Sequence, residues 1–208
     1  MLAATSTLWE KQDKHSGDRA RLFRVIGAHT QAERVLYPGS YVDVAPSFVF
    51  PQVTYVDVDR RSAAFFRDSA GVREIIAANP PSPAEPEFEF FHQDYTQPLD
   101  VPDASYDLLV SLYAGFISQA CVNKLRIGGL LLANASHGDA AMASMDDRFR
   151  FVGVVILEDD NYRVETNHLD AYLQQKKSTT ITRAGLREWG KGLTYTKSAF
   201  AYLFERTN

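Results

Sequence analysis

The 208-residue sequence has a single cysteine, Cys121, so no disulfide can form within the chain, which fits a reducing compartment. It has no long hydrophobic run. Its longest apolar stretches, such as residues 151–157, fall far short of the roughly 20 residues that span a bilayer. The opening MLAATSTLWEKQDKHSGDRA lacks the apolar centre of a secretory signal. Basic residues are not in excess: 22 Lys and Arg stand against 26 Asp and Glu, a formal net charge of −4, which disfavours nucleic acid as a partner. No GxxxxGK[ST] stretch is present, which excludes a P-loop, and there is no GxSxG nucleophile turn. His15, His29, His92 and His168 show no metal-like spacing with one another or with Cys121. The expectation is a cytoplasmic protein with no membrane segment and no metal site.

What is present suits one α/β domain. Hydrophobic residues make up 45% of the chain and charged residues 23%, the balance of a globular domain with a sizeable core. The pattern predicts a helix over 8–29 with an apolar stripe of Leu22, Phe23, Val25 and Ile26. Strands follow at 34–37 and 53–57. Asp59 is placed to cap a helix over 60–66, and 70–78 continues or restarts it with Val72, Ile75 and Ile76 on one face. The prolines of 79–86 mark a loop. Strands are predicted at 88–91, 106–112 and 130–134, with an amphipathic helix over 114–125 closed by Gly128 and Gly129. Beyond them come a hairpin of 149–157 and 162–166 turning at 158–161, helices at 168–175 and 183–189, and a last strand at 198–204.

Strand and helix in alternation argue for a parallel sheet with right-handed crossovers. Four places in this order carry more information. Val35, Leu36, Tyr37, Pro38 and Gly39 form a strand running into a glycine turn. Val53, Thr54, Tyr55, Val56 and Asp57 form a strand ending in an acid. Gln93, Asp94 and Tyr95, then Leu99 and Pro102, Asp103, Ala104, Ser105, Tyr106 and Asp107, are similar to a D-x-x-x-L-P-x-x-S-F-D passage into a strand. Leu125, Arg126, Ile127, Gly128, Gly129, Leu130 and Leu131 are similar to an L-K-P-G-G-x-L turn.

Together these resemble the class I S-adenosylmethionine (SAM) methyltransferases, from about Val35 to Asn134. The resemblance implies a Rossmann-like three-layer sandwich with a mostly parallel seven-stranded sheet and an antiparallel C-terminal strand. It implies a helical N-terminal segment 1–33, a core 34–135 and a variable C-terminal part 136–208 within one domain. It also implies cofactor roles. Gly39 lets the backbone pass close to the ligand, and Asp57 accepts the ribose hydroxyls. Asp94 and Tyr95 lie against the adenine, and Ser111 and Tyr113 stand at the end of strand four, where ligands gather in open α/β sheets.

The sequence departs from this family in its first loop. The acid-x-G-x-G-x-G pattern falls on Tyr37, Pro38, Gly39, Ser40, Tyr41, Val42 and Asp43, so only the first glycine is kept. Tyr37 replaces the acid that meets the methionine ammonium, and Tyr41 and Asp43 replace the other glycines. Pro46 and Pro51 shorten or distort the helix expected between the first two strands. A dinucleotide needs glycines beside its pyrophosphate, and Asp43 in that loop would repel a phosphate, which favours SAM over NAD or ATP.

Several residues carry two readings. Asp57 either binds ribose, or simply caps the next helix or pairs with Arg60 or Arg61. Asp94 is either a binding or a loop carboxylate, and Tyr37 and Tyr41 are packing residues or ligand contacts. Asn134 ends strand five and His137 follows it on the ligand side, where a histidine is either a general base or a solvated or structural residue. Cys121 reads as a small buried hydrophobe. The leading function is a SAM-dependent methyltransferase or a diverged relative, acting on a small-molecule or protein substrate that the sequence does not name. The alternative is a non-catalytic binding protein that keeps the fold and has lost the cofactor through the altered 37–43 loop. A different nucleotide enzyme comes third.

Overall fold

The computed structural model describes residues 1–79, 86–176 and 181–208; the Pro-rich loop expected at 79–86 lies, except for its two ends, outside them. The chain divides into two compact units, Met1–Leu99 and Asp100–Asn208.

In the first unit, α1 (Ala3–Gln12) and α2 (Asp18–His29) replace the single helix expected over 8–29. The break is the turn over 13–17, which ends at Gly17, φ 74°, whose amide donates to Asp13 Oδ1 at 2.7 Å. Glycine enters the left-handed region without steric cost, so this turn stops one helix and starts the next. Within α2 the expected stripe is buried at Leu22, Phe23 and Ile26, and Val25 is half-buried. The strands β1 (Arg34–Pro38), β2 (Gln52–Val56) and β3 (Glu87–Phe91) pair in parallel in the order β3-β2-β1. Four of the five residues in β1 and in β2 are buried in sequence, as in parallel strands covered on both faces. Between them the chain makes only a 3₁₀ turn, Ala45–Phe48, in keeping with its prolines.

Helices α3 (Arg60–Arg67) and α4 (Ser69–Ala77) follow β2. Asp59 caps α3 as expected, accepting the Arg61 amide at 2.7 Å. Asp68 caps α4 by accepting the Gly71 amide at 3.0 Å, which is why the helix restarts there. Phe66 stacks on Phe90 with ring centres 4.4 Å apart and lies 5.0 Å from Tyr55. These rings fasten α3 to β2 and β3. Burying such a side chain contributes about 1.5–3 kcal/mol.

The second unit holds β4 (Tyr106–Ser111), β5 (Leu125–Ala133), β6 (Phe149–Glu158), β7 (Asn161–Glu165) and β8 (Ala201–Arg206), in the order β4-β5-β8-β6-β7. Strands β4 and β5 are parallel, and β8 is antiparallel to both β5 and β6, so β5 and β6 run the same way. The strand pairs of the first unit are all parallel; in the second, β4, β5 and β6 run one way and β7 and the C-terminal strand β8 run against them, the antiparallel C-terminal strand being as expected. The described strands number eight rather than seven. The extra one is β7, the edge partner of β6 in the expected hairpin. Its turn residues Asp159 and Asp160 have φ 48° and 59°, the doubly positive geometry that suits a two-residue hairpin.

The helix expected over 114–125 is reduced to α5 (Ile117–Ala120) and a 3₁₀ turn, Val122–Lys124. Gly128 and Gly129 do not end a helix; they lie inside β5. Gly128, φ 77°, opens an irregularity where the register to β4 shifts between Tyr106 and Leu108. Three further helices complete the unit: α6 (Asp139–Ser144), α7 (Asp170–Leu173) and α8 (Arg183–Trp189). Leu186 of α8 packs on Ala141 and Met142 of α6, with Phe116 and Leu193 beside them. Among the described residues no helix is long and apolar enough to cross a membrane, and no cluster of three or more His, Cys, Asp or Glu could hold a metal.

Candidate functional site

In the first unit the C-terminal ends of β1 and β2 are tied together by the loop between them. Gly39, φ 68°, donates its amide to the Val56 carbonyl at 2.8 Å. Tyr37 is buried, with its ring 6.2 Å from Phe23, and its hydroxyl donates to Asp43 Oδ2 at 3.3 Å. Asp43 is 1% exposed. Arg19 Nε of α2 lies 3.6 Å from Oδ2, and the Ala45 amide donates to Oδ1 at 3.2 Å. Burial pushes the Asp43 carboxyl up from its ordinary range and the Arg19 charge pulls it back. Burial likewise raises the Tyr37 phenol. The expectation that Asp43 would repel a phosphate does not hold. Asp43 is buried against Arg19, so its charge is no obstacle to a phosphate, and SAM is not favoured on that ground.

Asp57 follows β2 and is 9% exposed. Its Oδ2 accepts the Tyr41 amide at 2.7 Å and its Oδ1 accepts the Asp59 amide at 2.7 Å. It caps no helix, and Arg61 pairs with Asp59 instead, at 2.5 Å. A carboxylate offers about four lone-pair positions, so these two bonds leave capacity for two hydroxyl donors. Tyr41 holds φ 50°, a conformation costing a tyrosine about 1–2 kcal/mol. A hydrogen bond to a charged acceptor, worth about 1.5–3 kcal/mol, outweighs that cost.

Beside Asp57, Val58 is 60% exposed, an apolar face that sequence reasoning passed over because a single valine after a strand carries no signal. Its carbonyl accepts a hydrogen bond from His92 Nε2 at 2.9 Å. Asp94 is exposed and accepts the Thr96 amide and hydroxyl at 2.9 and 2.7 Å, which hold its carboxyl below the usual range. Tyr95 is half-buried. The unit thus brings Gly39, Tyr41 and Asp57 together, while the Tyr37 side chain turns into the core.

In the second unit Ser111 ends β4 and Asn134 follows β5, joined by the Asn134 amide to the Ser111 carbonyl at 3.1 Å. Asn134 Oδ1 accepts the Tyr113 amide at 3.3 Å and the Ser136 hydroxyl at 2.8 Å. Tyr113, φ 57°, is 53% exposed, and His137 is exposed in the loop. The Ser111 hydroxyl is committed to Asp139, donating to Oδ2 at 2.6 Å. Asp139 is 1% exposed and also accepts the Ser118 hydroxyl at 2.5 Å and the Ser118 amide at 3.0 Å. Burial pushes its carboxyl up to about 6, and the serine bonds and the Ile117 amide hold it down. Sequence reasoning missed this residue. The available signal was a Gly-Asp pair opening a helix just after a strand end.

No protein-family model and no curated protein matches the sequence. Solved structures do match in shape. One is the O-methyltransferase TomG from Streptomyces achromogenes, involved in tomaymycin synthesis and solved with SAM: TM-score 0.53 and 11% identity, covering 100% of this chain and 91% of that one. Another is an O-methyltransferase from Bacillus cereus in complex with SAH: TM-score 0.51 and 9% identity, covering 79% and 89%. The chain has the fold of the SAM-dependent methyltransferases. At these identities the likeness is one of fold.

Proposed function

We propose that this chain is a SAM-dependent methyltransferase and that Asp57 holds the ribose of its cofactor. The observation that carries the reading is the Asp57 carboxylate. It stands at the C-terminal end of a parallel strand, oriented by two backbone amides with acceptor capacity left over, beside an exposed valine. Those free acceptor positions suit the hydroxyls of a diol, and the valine suits the face of a base. The methyltransferases of the same fold solved with SAM or SAH support the same cofactor.

When bound, SAM supplies a methyl group on a positively charged sulfur. Gly39 lets the backbone approach it, Asp57 accepts the ribose hydroxyls, Val58 packs on the adenine, and Asp94 and Tyr95 border the adenine edge. Methyl transfer is an in-line displacement that alignment can drive, so these residues need to bind and orient and need no acid–base pair among them.

A second reading is a non-catalytic relative of the fold. It is favoured by Tyr37, which stands where an acid would meet the methionine ammonium and whose hydroxyl is spent on buried Asp43. Calorimetric titration with SAM and S-adenosylhomocysteine separates the two. Micromolar binding that is weakened by Asp57→Ala supports the methyltransferase, and no binding at millimolar ligand leaves the second reading.

A further inference from the structure

Tyr41 sits in a closed circuit of contacts around the Asp57 carboxylate. Its amide donates to Asp57 Oδ2 at 2.7 Å. The Arg61 guanidinium lies 5.1 Å from the centre of its ring, within reach of a cation–π contact. Arg61 in turn bonds both carboxylate oxygens of Asp59 through Nε, at 3.1 Å each, and through Nη2 at 2.5 Å. The Asp59 amide closes the circuit on Asp57 Oδ1 at 2.7 Å. Each carboxylate oxygen of Asp57 is thus fixed from one side, and one of the two fixing amides belongs to a tyrosine in the left-handed region, φ 50°. A glycine there could adopt either sign of φ, and its amide would not be held in place by a ring.

We propose that Tyr41 is a positioning residue which, braced by Arg61, aims Asp57 at the two hydroxyls of a ribose and so makes the site selective for a cis-diol. This rests on the cofactor reading of Asp57 above. Tyr41 acts through its ring and Asp57 through its carboxylate, so the phenol hydroxyl is dispensable and the ring is not.

The test compares binding of adenosine and 2′,3′-dideoxyadenosine by calorimetry, since these probes differ only in the diol and need no group for the methionine end. Wild-type protein is expected to prefer adenosine by about tenfold or more, the scale of a lost hydrogen-bond partner. Tyr41→Phe keeps that preference, and Tyr41→Gly brings the two ligands close to parity with dideoxyadenosine binding little changed. Arg61→Gln alters a side chain that is 68% exposed. It lowers the preference severalfold without changing the melting temperature, and it decides the matter if the glycine variant fails to fold. If Tyr41→Gly and Arg61→Gln keep the full preference while Asp57→Ala loses it, Tyr41 has no positioning role and the cofactor reading stands. If the wild-type protein binds neither nucleoside, or binds both equally, both readings fall.

Discussion

Arg19 Nε of α2 lies 3.6 Å from Asp43 Oδ2, with the two side chains 17% and 1% exposed. This ion pair pins an N-terminal helix to the loop after β1. Removing one partner of a buried pair strands the other charge, which costs about 3–5 kcal/mol when both are fully buried. Arg19 is partly solvated, so Arg19→Met is expected to cost about 2–3 kcal/mol. Adding Asp43→Asn to that variant recovers part of the loss, because the stranded carboxylate is gone. Urea denaturation of the two single variants and the double variant measures this. A loss below about 1 kcal/mol for Arg19→Met, the range of a surface pair, rules the pinning role out.

Asp139 makes stability depend on pH in the opposite sense from an ordinary surface carboxylate. Burial raises its folded pKa from 3.8 to about 6, so between those values the folded protein binds more proton than the unfolded chain. Its contribution is fully present below about pH 3.8 and is lost as pH rises through about 6. At 1.36 kcal/mol per pKa unit the swing is about 3 kcal/mol. Asp59, Asp68 and Asp94 are shifted the other way, so the observable is the difference between wild type and Asp139→Asn. The variant is less stable overall, since an amide cannot accept all the bonds that Asp139 receives. The gap to wild type should narrow as pH rises from 4 to 7. A gap that stays constant or widens would show that Asp139 titrates near or below its unfolded value.

Legibility in the sequence followed the range of the interaction. The Asp59 cap was readable because donor and acceptor are two residues apart, and β2 because four buried residues run in series. The β6–β7 hairpin was readable because its turn residues are adjacent. The helix expected over 8–29 broke at a turn ending in a glycine whose φ is not visible in a composition count. The start of the 114–125 helix was set by a longer-range contact: the Ser118 amide in the first turn of α5 is taken by Asp139, 21 residues away. Gly128 and Gly129 suit a helix stop by pattern, yet the same glycines serve an irregularity within β5. In the candidate site the placement of Asp57 just past the end of β2 was readable from the strand pattern. Its two backbone donors were not, because one comes from Tyr41, 16 residues before it. The burial of Asp43 required Arg19, which local patterning cannot place.

Cys121 is 1% exposed, and burial pushes its thiol up to about 12. Only the thiolate is an effective nucleophile, so the folded protein should not react with a disulfide reagent at pH 8 over minutes. One equivalent should react once urea unfolds the chain. Rapid labelling of the native protein would contradict both the burial and the raised pKa, and would make the cysteine available for chemistry.

Two glycines of the C-terminal segment respond to the same substitution in opposite directions. At Gly192 an added Cβ would lie 1.6 Å from the Ala135 carbonyl oxygen and 2.7 Å from its carbon. These are rigid backbone atoms, and the Gly192 amide also donates to the Ser136 carbonyl at 3.3 Å. Gly192→Ala must therefore push the 190–192 segment off the loop after β5, and a loss of about 2 kcal/mol or more is expected, the scale of an overpacked contact. Gly185 lies inside α8, and the nearest atom to its added Cβ is Thr182 Oγ1 at 3.4 Å, an ordinary contact. Replacing a helical glycine by alanine removes freedom from the unfolded chain, so Gly185→Ala is expected to stabilise by about 0.5–1 kcal/mol. Thermal and urea melts of both variants read the pair. If Gly192→Ala is neutral, the 190–192 segment does not rest on the 135–138 loop in solution.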